Sequence, residues 1–315
     1  MKRSKSSTRF QKQLSLFMAT LLAWAMAVPA LAAAGPNVRY GVRPIYPANQ
    51  RSDKSGHFNL TMHTQQQQEI QVEIQNLGES PIYVEISANA AHTNGNGVME
   101  YISASEAVLL AEADDQVQKP TFTTIVTAEE ALIAVLPGET EKATFHIQMP
   151  AEPFEGVLMG GLYFAESLGM QAEMNAAQAP AEAQKKSGTG VMNRMAYVIP
   201  VVLRESETVP PPAFKLLGVY PDETYADALR IVLQNTEARI SHLGNFEAKL
   251  FWLSEPQAPV ETFHKAQIQM VPHARPALRF WRQSREPLAQ GAYQLVVSFT
   301  CENVPYQLES IFSVE

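Results

Sequence analysis

Apolar and polar residues alternate with a period of two along much of the chain. Ile70, Val72 and Ile74 alternate with Glu69, Gln71, Glu73 and Gln75, and after Leu77–Pro81 the pattern resumes with Ile82, Val84, Ile86 and Ala88. Such runs predict half-buried strands, and the Gly/Ser/Pro turn between these two predicts an antiparallel hairpin. The pattern recurs at Ala143, Phe145, Ile147 and Met149, at Leu229, Ile231 and Leu233, and at Ala248, Leu250 and Trp252. It closes the chain at Tyr293–Phe299 and Leu308–Val314. Helical signal is confined to the neighbourhood of Ser105–Glu112. The expected class is all-β: two immunoglobulin-like antiparallel β-sandwich domains in tandem.

The 315 residues suit two domains. Ser167–Gly190 is rich in Ala, Gln, Glu and Lys and has no apolar face. It lies between two long apolar stretches, Phe154–Ala165 and Val191–Arg204, so a disordered loop within a long hairpin fits it as well as a linker does. Pro210-Pro211-Pro212 is the better boundary, because three prolines favour a stiff extended spacer and cannot continue a ladder. The expected domains are 35–209, with a loop near 167–190, and 213–315.

Charge sharpens the picture. The chain carries −8, but its first 33 residues hold five cations and no acid. Without them, 19 basic and 32 acidic residues leave −13. A basic start, the apolar run Leu14–Ala34 and the exit Ala30-Leu31-Ala32 predict a signal peptide over 1–34 and hence export. An acidic exported chain lacks the clustered Lys and Arg that nucleic-acid phosphates require. Its single cysteine, Cys301, cannot form an internal disulfide, so stability must come from core size.

Signatures of catalysis are missing. The sequence has no nucleophile elbow, P-loop, zinc His pair, EF-hand loop or dinucleotide fingerprint. The seven histidines are scattered, and Asp114-Asp115 and Glu129-Glu130 are adjacent carboxylates that would diverge on a strand. No enzyme activity, cofactor or metal site is expected. Asn94-Gly95-Asn96-Gly97 offers no carboxylate for calcium and predicts a tight turn using positive φ.

Two segments invite a binding role. Tyr40–Gln50 combines aromatics, an arginine and two prolines, and can form neither a central strand nor a helix; Tyr40, Arg43, Tyr46 and Asn49 are its candidate contacts. Phe154–Phe164 places three glycines within an apolar strand, which predicts a bulge or a close approach. Gly156, Gly160, Gly161 and Tyr163 are the candidates there.

These residues also carry a resemblance. Val42-Arg43-Pro44-Ile45-Tyr46-Pro47-Ala48-Asn49-Gln50, Phe58-Asn59-Leu60, Glu73-Ile74-Gln75-Asn76 and Asn94–Tyr101 resemble the first domain of the WxL-interacting proteins. So do Phe154–Phe164 and Tyr197–Glu205. The second domain is similar more loosely, through Phe214–Val219 and Leu288–Tyr293. The resemblance implies a non-catalytic protein of a Gram-positive cell wall whose first domain binds peptidoglycan and whose second binds host molecules. Its implied partners are WxL-domain proteins, peptidoglycan and host extracellular-matrix proteins. No Trp-x-Leu tripeptide is present, so the chain would be the partner and not the WxL protein itself. It ends at Glu315 in strand-like sequence, without the transmembrane helix and basic tail usual in the family. Cell-surface residence is therefore expected, without a membrane anchor in these residues. The competing readings are an envelope assembly chaperone acting by strand addition and a carbohydrate-active enzyme with no recognisable motif.

Overall fold

The computed structural model describes residues 39–51, 56–113, 121–170 and 194–315. The expected signal peptide and most of the 167–190 loop lie outside the described residues. The fold is all-β, with two sandwiches in series.

Among the described residues, ten strands precede Glu205: β1 (Tyr40–Ile45), β2 (Phe58–Thr61), β3 (Gln67–Asn76), β4 (Ile82–Thr93), β5 (Met99–Ile102), β6 (Val126–Ala128), β7 (Leu132–Val135), β8 (Thr140–Gln148), β9 (Leu158–Glu166) and β10 (Ala196–Arg204). Seven follow Pro212: β11 (Phe214–Pro221), β12 (Ala228–Asn235), β13 (Ser241–Trp252), β14 (Glu261–Met270), β15 (Ala277–Trp281), β16 (Gly291–Cys301) and β17 (Val304–Val314). The helices α1 (Ala104–Ala113) and α2 (Phe122–Ile125) fall in the first group. Ser103 caps α1: its hydroxyl accepts from the Glu106 N–H, while the Glu106 carboxylate accepts from the Ser103 N–H.

The first sandwich packs the sheet β1-β3-β8-β6 against β2-β10-β9-β4-β5, with β7 also on β4. The period-two positions close its core: Ile70, Val72, Ile74, Val84, Phe145 and Ile147 are all buried. The second packs β11-β12-β15 against β14-β13-β16-β17, and Ile231, Leu233, Leu250, Leu295 and Val297 are wholly enclosed between them. β9 and β10 form the long hairpin expected on either side of the 167–190 loop, with Ala165 opposite Ala196.

The hairpin expected across Leu77–Pro81 does not form. β3 pairs with β1 and β8, whereas β4 pairs with β5, β7 and β9, so the turn carries the chain from one sheet to the other. Facing each other across the sandwich lets both apolar faces be buried, and alternation alone does not name a strand's partner. Asn76, itself buried, pins the crossing. Its side-chain amide donates to the Ser80 and Val135 carbonyls, and its side-chain oxygen accepts from the Gly78 N–H. One ladder departs from the antiparallel rule: the short edge strand β2 runs parallel to β10.

Residues Tyr40–Glu315 form one compact unit, because the two sandwiches share a seam. Val157, Met159 and Val202 of the first pack with Val271 of the second. The Asn94–Gly97 turn reaches across, where the Gly95 carbonyl accepts from the Arg279 N–H (2.8 Å) and the Gly97 carbonyl from the Gln269 N–H (2.9 Å). Gly97 has the positive φ expected of the turn, at 75°. Thr93 Oγ1 donates to the Gln269 carbonyl and accepts from the Val271 N–H, both at 3.0 Å. The proline run is fastened too: Arg239 Nη1 donates to the Pro210 carbonyl and Tyr306 Oη to the Pro212 carbonyl.

Candidate binding surfaces

β1 is an edge strand, paired only with β3, and this suits Pro44, which has no N–H to give a second neighbour. Arg43 lies opposite Glu73 in that ladder and donates Nε–H to its carboxylate at 3.0 Å, yet 77% of its side chain stays exposed. Gly41, Val42, Arg43, Glu73, Gln75 and Thr140 line an open depression of about 370 Å³. Farther along, the Tyr46 ring meets Phe58 edge-on at 5.9 Å between centroids, and its hydroxyl accepts from the Gly56 N–H.

Asn49 and its neighbour close the outer edge of β2, where Gln50 bridges to Leu60. The Asn49 amide donates to the Thr61 carbonyl and exchanges two 2.9 Å hydrogen bonds with the Gln68 amide. The Gln50 side chain accepts from the Asn59 N–H and donates to the His57 carbonyl. Tyr40 is placed elsewhere. It is fully buried, its hydroxyl sits 3.1 Å from the Phe164 and Met195 carbonyls, and burial pushes its phenol well above the ordinary range. Arg43 is thus exposed, Tyr46 and Asn49 are half-buried with separate partners, and Tyr40 is enclosed.

The glycine-rich strand is regular. Gly160 and Gly161 keep unbroken register with both neighbours, so close approach by side chains, and not a bulge, is what they provide. A Cβ on Gly160 would fall 2.0 Å from the Phe122 ring, on the core side. One on Gly161 would fall 2.5 Å from Val198 and 2.7 Å from Tyr101, on the opposite face. Gly156, at φ 71°, lies against the second sandwich, where a Cβ would sit 2.0 Å from the Ala238 carbonyl oxygen. Tyr163, half-buried, stands between Ser87 and Val198 on the neighbouring strands. These four are thus divided among the core, the sheet face and the seam.

A surface that the sequence did not single out lies on the second sandwich. Among the described residues, the exposed aromatics are Tyr220 (52%), Tyr225 (42%) and Trp281 (43%). Tyr220, Arg230 and Arg279 form one row across the sheet β11-β12-β15, Trp281 follows Arg279 on the same face, and Tyr225 comes from the loop after β11. Asp222 organises the group. Its enclosed carboxylate accepts from the Thr224 and Tyr225 N–H groups and from Nε of Arg230 (2.8 Å) and Arg279 (2.7 Å). Burial alone would raise its pKa, but the hydrogen bonds, Arg279's foremost, outweigh that and hold it at about 2. The Arg279 guanidinium lies 4.9 Å from the Tyr225 ring centre, Tyr225 meets Trp281 at 4.8 Å, and Arg285 lies 5.5 Å from the Trp281 ring. Tyr220 folds down onto the sheet, its hydroxyl end over Gly218, where a Cβ would come within 2.3 Å.

No helix among the described residues is long and apolar enough to cross a membrane. Comparison with curated proteins finds no match. Among solved structures, the chain is similar to the CsuC–CsuE chaperone–tip subunit pre-assembly complex of Acinetobacter baumannii, at 12% identity and a TM-score of 0.39, over 86% of this chain and 97% of that one. It is also similar to the fimbrial chaperone CfaA, at 8% identity and a TM-score of 0.33, over 88% of this chain and 99% of that one. Likeness at that level decides nothing about what the chain binds. Two family models match in series: the WxL Interacting Protein peptidoglycan binding domain over residues 40–166 and the WxL Interacting Protein host binding domain over residues 186–315. The second match begins ahead of β10, which pairs into the first sandwich. Together the two matches span most of the described fold, and the chain belongs to the WxL-interacting protein family.

Proposed function

We propose that the protein is a non-catalytic adhesion scaffold of the Gram-positive cell surface. Its first sandwich holds peptidoglycan, its second faces host ligands, and the assembly engages WxL-domain proteins. The serial match to a peptidoglycan-binding and a host-binding domain carries this reading. The seam supports it mechanically, since a scaffold that transmits load between wall and host gains from firmly joined halves. An acidic chain has no long-range attraction to the anionic wall, so contact with glycan must rest on hydrogen bonding and ring stacking at short range. The exposed Arg43 and the half-buried Tyr46 are candidate groups for that in the first sandwich.

The test is cosedimentation of the purified protein with peptidoglycan sacculi, paired with capture of a WxL-domain protein on beads. The protein should pellet with sacculi, with little change between low and physiological salt. Arg43→Ala should reduce the pelleted fraction at an unchanged melting temperature, and Tyr46→Ala should reduce it with the protein still folded. A protein that captures the WxL domain but stays in the supernatant would leave protein–protein contact as the primary function. Release of soluble muropeptides would refute the non-catalytic reading.

A further inference from the structure

We propose that the outer face of β11-β12-β15 binds an acidic polysaccharide whose pyranose rings carry carboxylates. The proposal rests on the reading of the second sandwich as the host-facing half and names the chemistry of its ligand. Aromatic rings held in water are costly, and three gathered on one face mark an interaction site. Tyr220 stands on the outer strand β11, Trp281 on the outer strand β15, and Tyr225 in the loop between β11 and β12. β12, which carries Arg230, is paired on both sides, so a ligand lying over the arginines meets side chains and not a free ladder. Contact must come through ring faces and side-chain donors.

Both kinds of group are present and aligned. Tyr220 folds its hydroxyl end down over the bare Gly218 and remains exposed. Arg230 and Arg279 spend Nε on Asp222, and their Nη groups have no hydrogen-bond partner among the described residues. Two neighbouring guanidinium ends thus offer planar donor pairs suited to a carboxylate. Arg230 and Arg279 share the single carboxylate of Asp222, so at that point two cations meet one acid. From the level of Gly218 to that of Trp281 the platform runs about 13 Å along the strands and about 10 Å across them, room for more than one sugar ring. A polymer alternating flat pyranose faces with carboxylates satisfies rings and arginines together. A phosphodiester chain without sugar rings would leave the aromatics unused.

Hyaluronan oligosaccharides supply this chemistry as a probe. Biolayer interferometry should show the purified protein binding them, with affinity falling as salt rises. Trp281→Ala and Tyr220→Ala, both at exposed positions, should each weaken binding roughly tenfold, with melting temperatures unchanged. Carboxyl-reduced hyaluronan should bind no better than dextran. No binding to hyaluronan, binding indifferent to both substitutions, or binding that survives carboxyl reduction would each overturn the proposal. An immobilised extracellular-matrix protein, run in parallel, separates this failure from that of the broader reading. If the protein binds it while ignoring hyaluronan, the acidic-polysaccharide assignment falls and the host-facing role stands.

Discussion

Gly160 offers the sharpest test of how the first sandwich is packed. The methyl of Gly160→Ala would stand 2.0, 2.2 and 2.4 Å from three carbons of the Phe122 ring. Ordinary carbon contacts need about 3.5 Å or more, so the ring must retreat by roughly 1 Å or more. Phe122 is 2% exposed, on the short helix α2 that sits over this strand, and has little room to withdraw. Overpacking of this kind costs about 1–3 kcal/mol, and full ejection of the ring would cost about 3–5 kcal/mol. The smaller entropy of an unfolded alanine chain returns only about 0.4–1 kcal/mol. The net destabilisation should be about 2 kcal/mol, measurable as a shift of the urea midpoint at constant m-value. The clash also predicts coupling. Phe122→Ala alone opens a cavity, and in the double variant the new methyl enters space that the ring has left. The pair should therefore cost at least about 1 kcal/mol less than the sum of the singles. A neutral Gly160→Ala, or a double variant additive within about 0.5 kcal/mol, would show that the ring does not bear on this glycine.

Three further outcomes follow from the structure. Asp222, held at about 2 against an ordinary 3.8, contributes stability that is present above its ordinary pKa and lost as pH falls through the lower value; Asp222→Asn should lower the neutral melting temperature and flatten its decline in that window. Gly156→Ala should loosen the seam, because a side chain at φ 71° collides with the Ala238 carbonyl. Limited proteolysis should then cut near Pro210–Pro212 faster than in the parent protein, and equal rates would count against a mechanical role for this glycine. Cys301 is enclosed and burial pushes its thiol up, so a thiol reagent should react only on unfolding; rapid labelling at neutral pH would contradict that enclosure.

The class of fold and the inward face of most strands were legible in the sequence, because alternation is a local property and burial follows it residue by residue. Ile70, Val72, Phe145, Ile231 and Leu295 are buried as their positions predict. The glycines and the Asn94–Gly97 turn announced themselves as special for the same reason, since backbone freedom is written in residue type. Strand partners were not legible. β3 and β4 read as a hairpin and instead face each other across the core, because both arrangements bury the same side chains. Nor could the sequence say what each glycine makes room for: Phe122 lies 38 residues from Gly160, Ala238 lies 82 from Gly156, and only folding sets them in contact. Tyr40 looked like a surface aromatic until the meeting of β1 with β9 and β10 enclosed it. The aromatic platform is the clearest case. Tyr220, Tyr225 and Trp281 are separated along the chain by up to 61 residues, and no motif joins them. Their union depends on β12 pairing with both β11 and β15, and on one enclosed carboxylate drawing two arginines to the same point. Tertiary structure decided this, because a surface is made by the register between distant strands and not by the alternation within one.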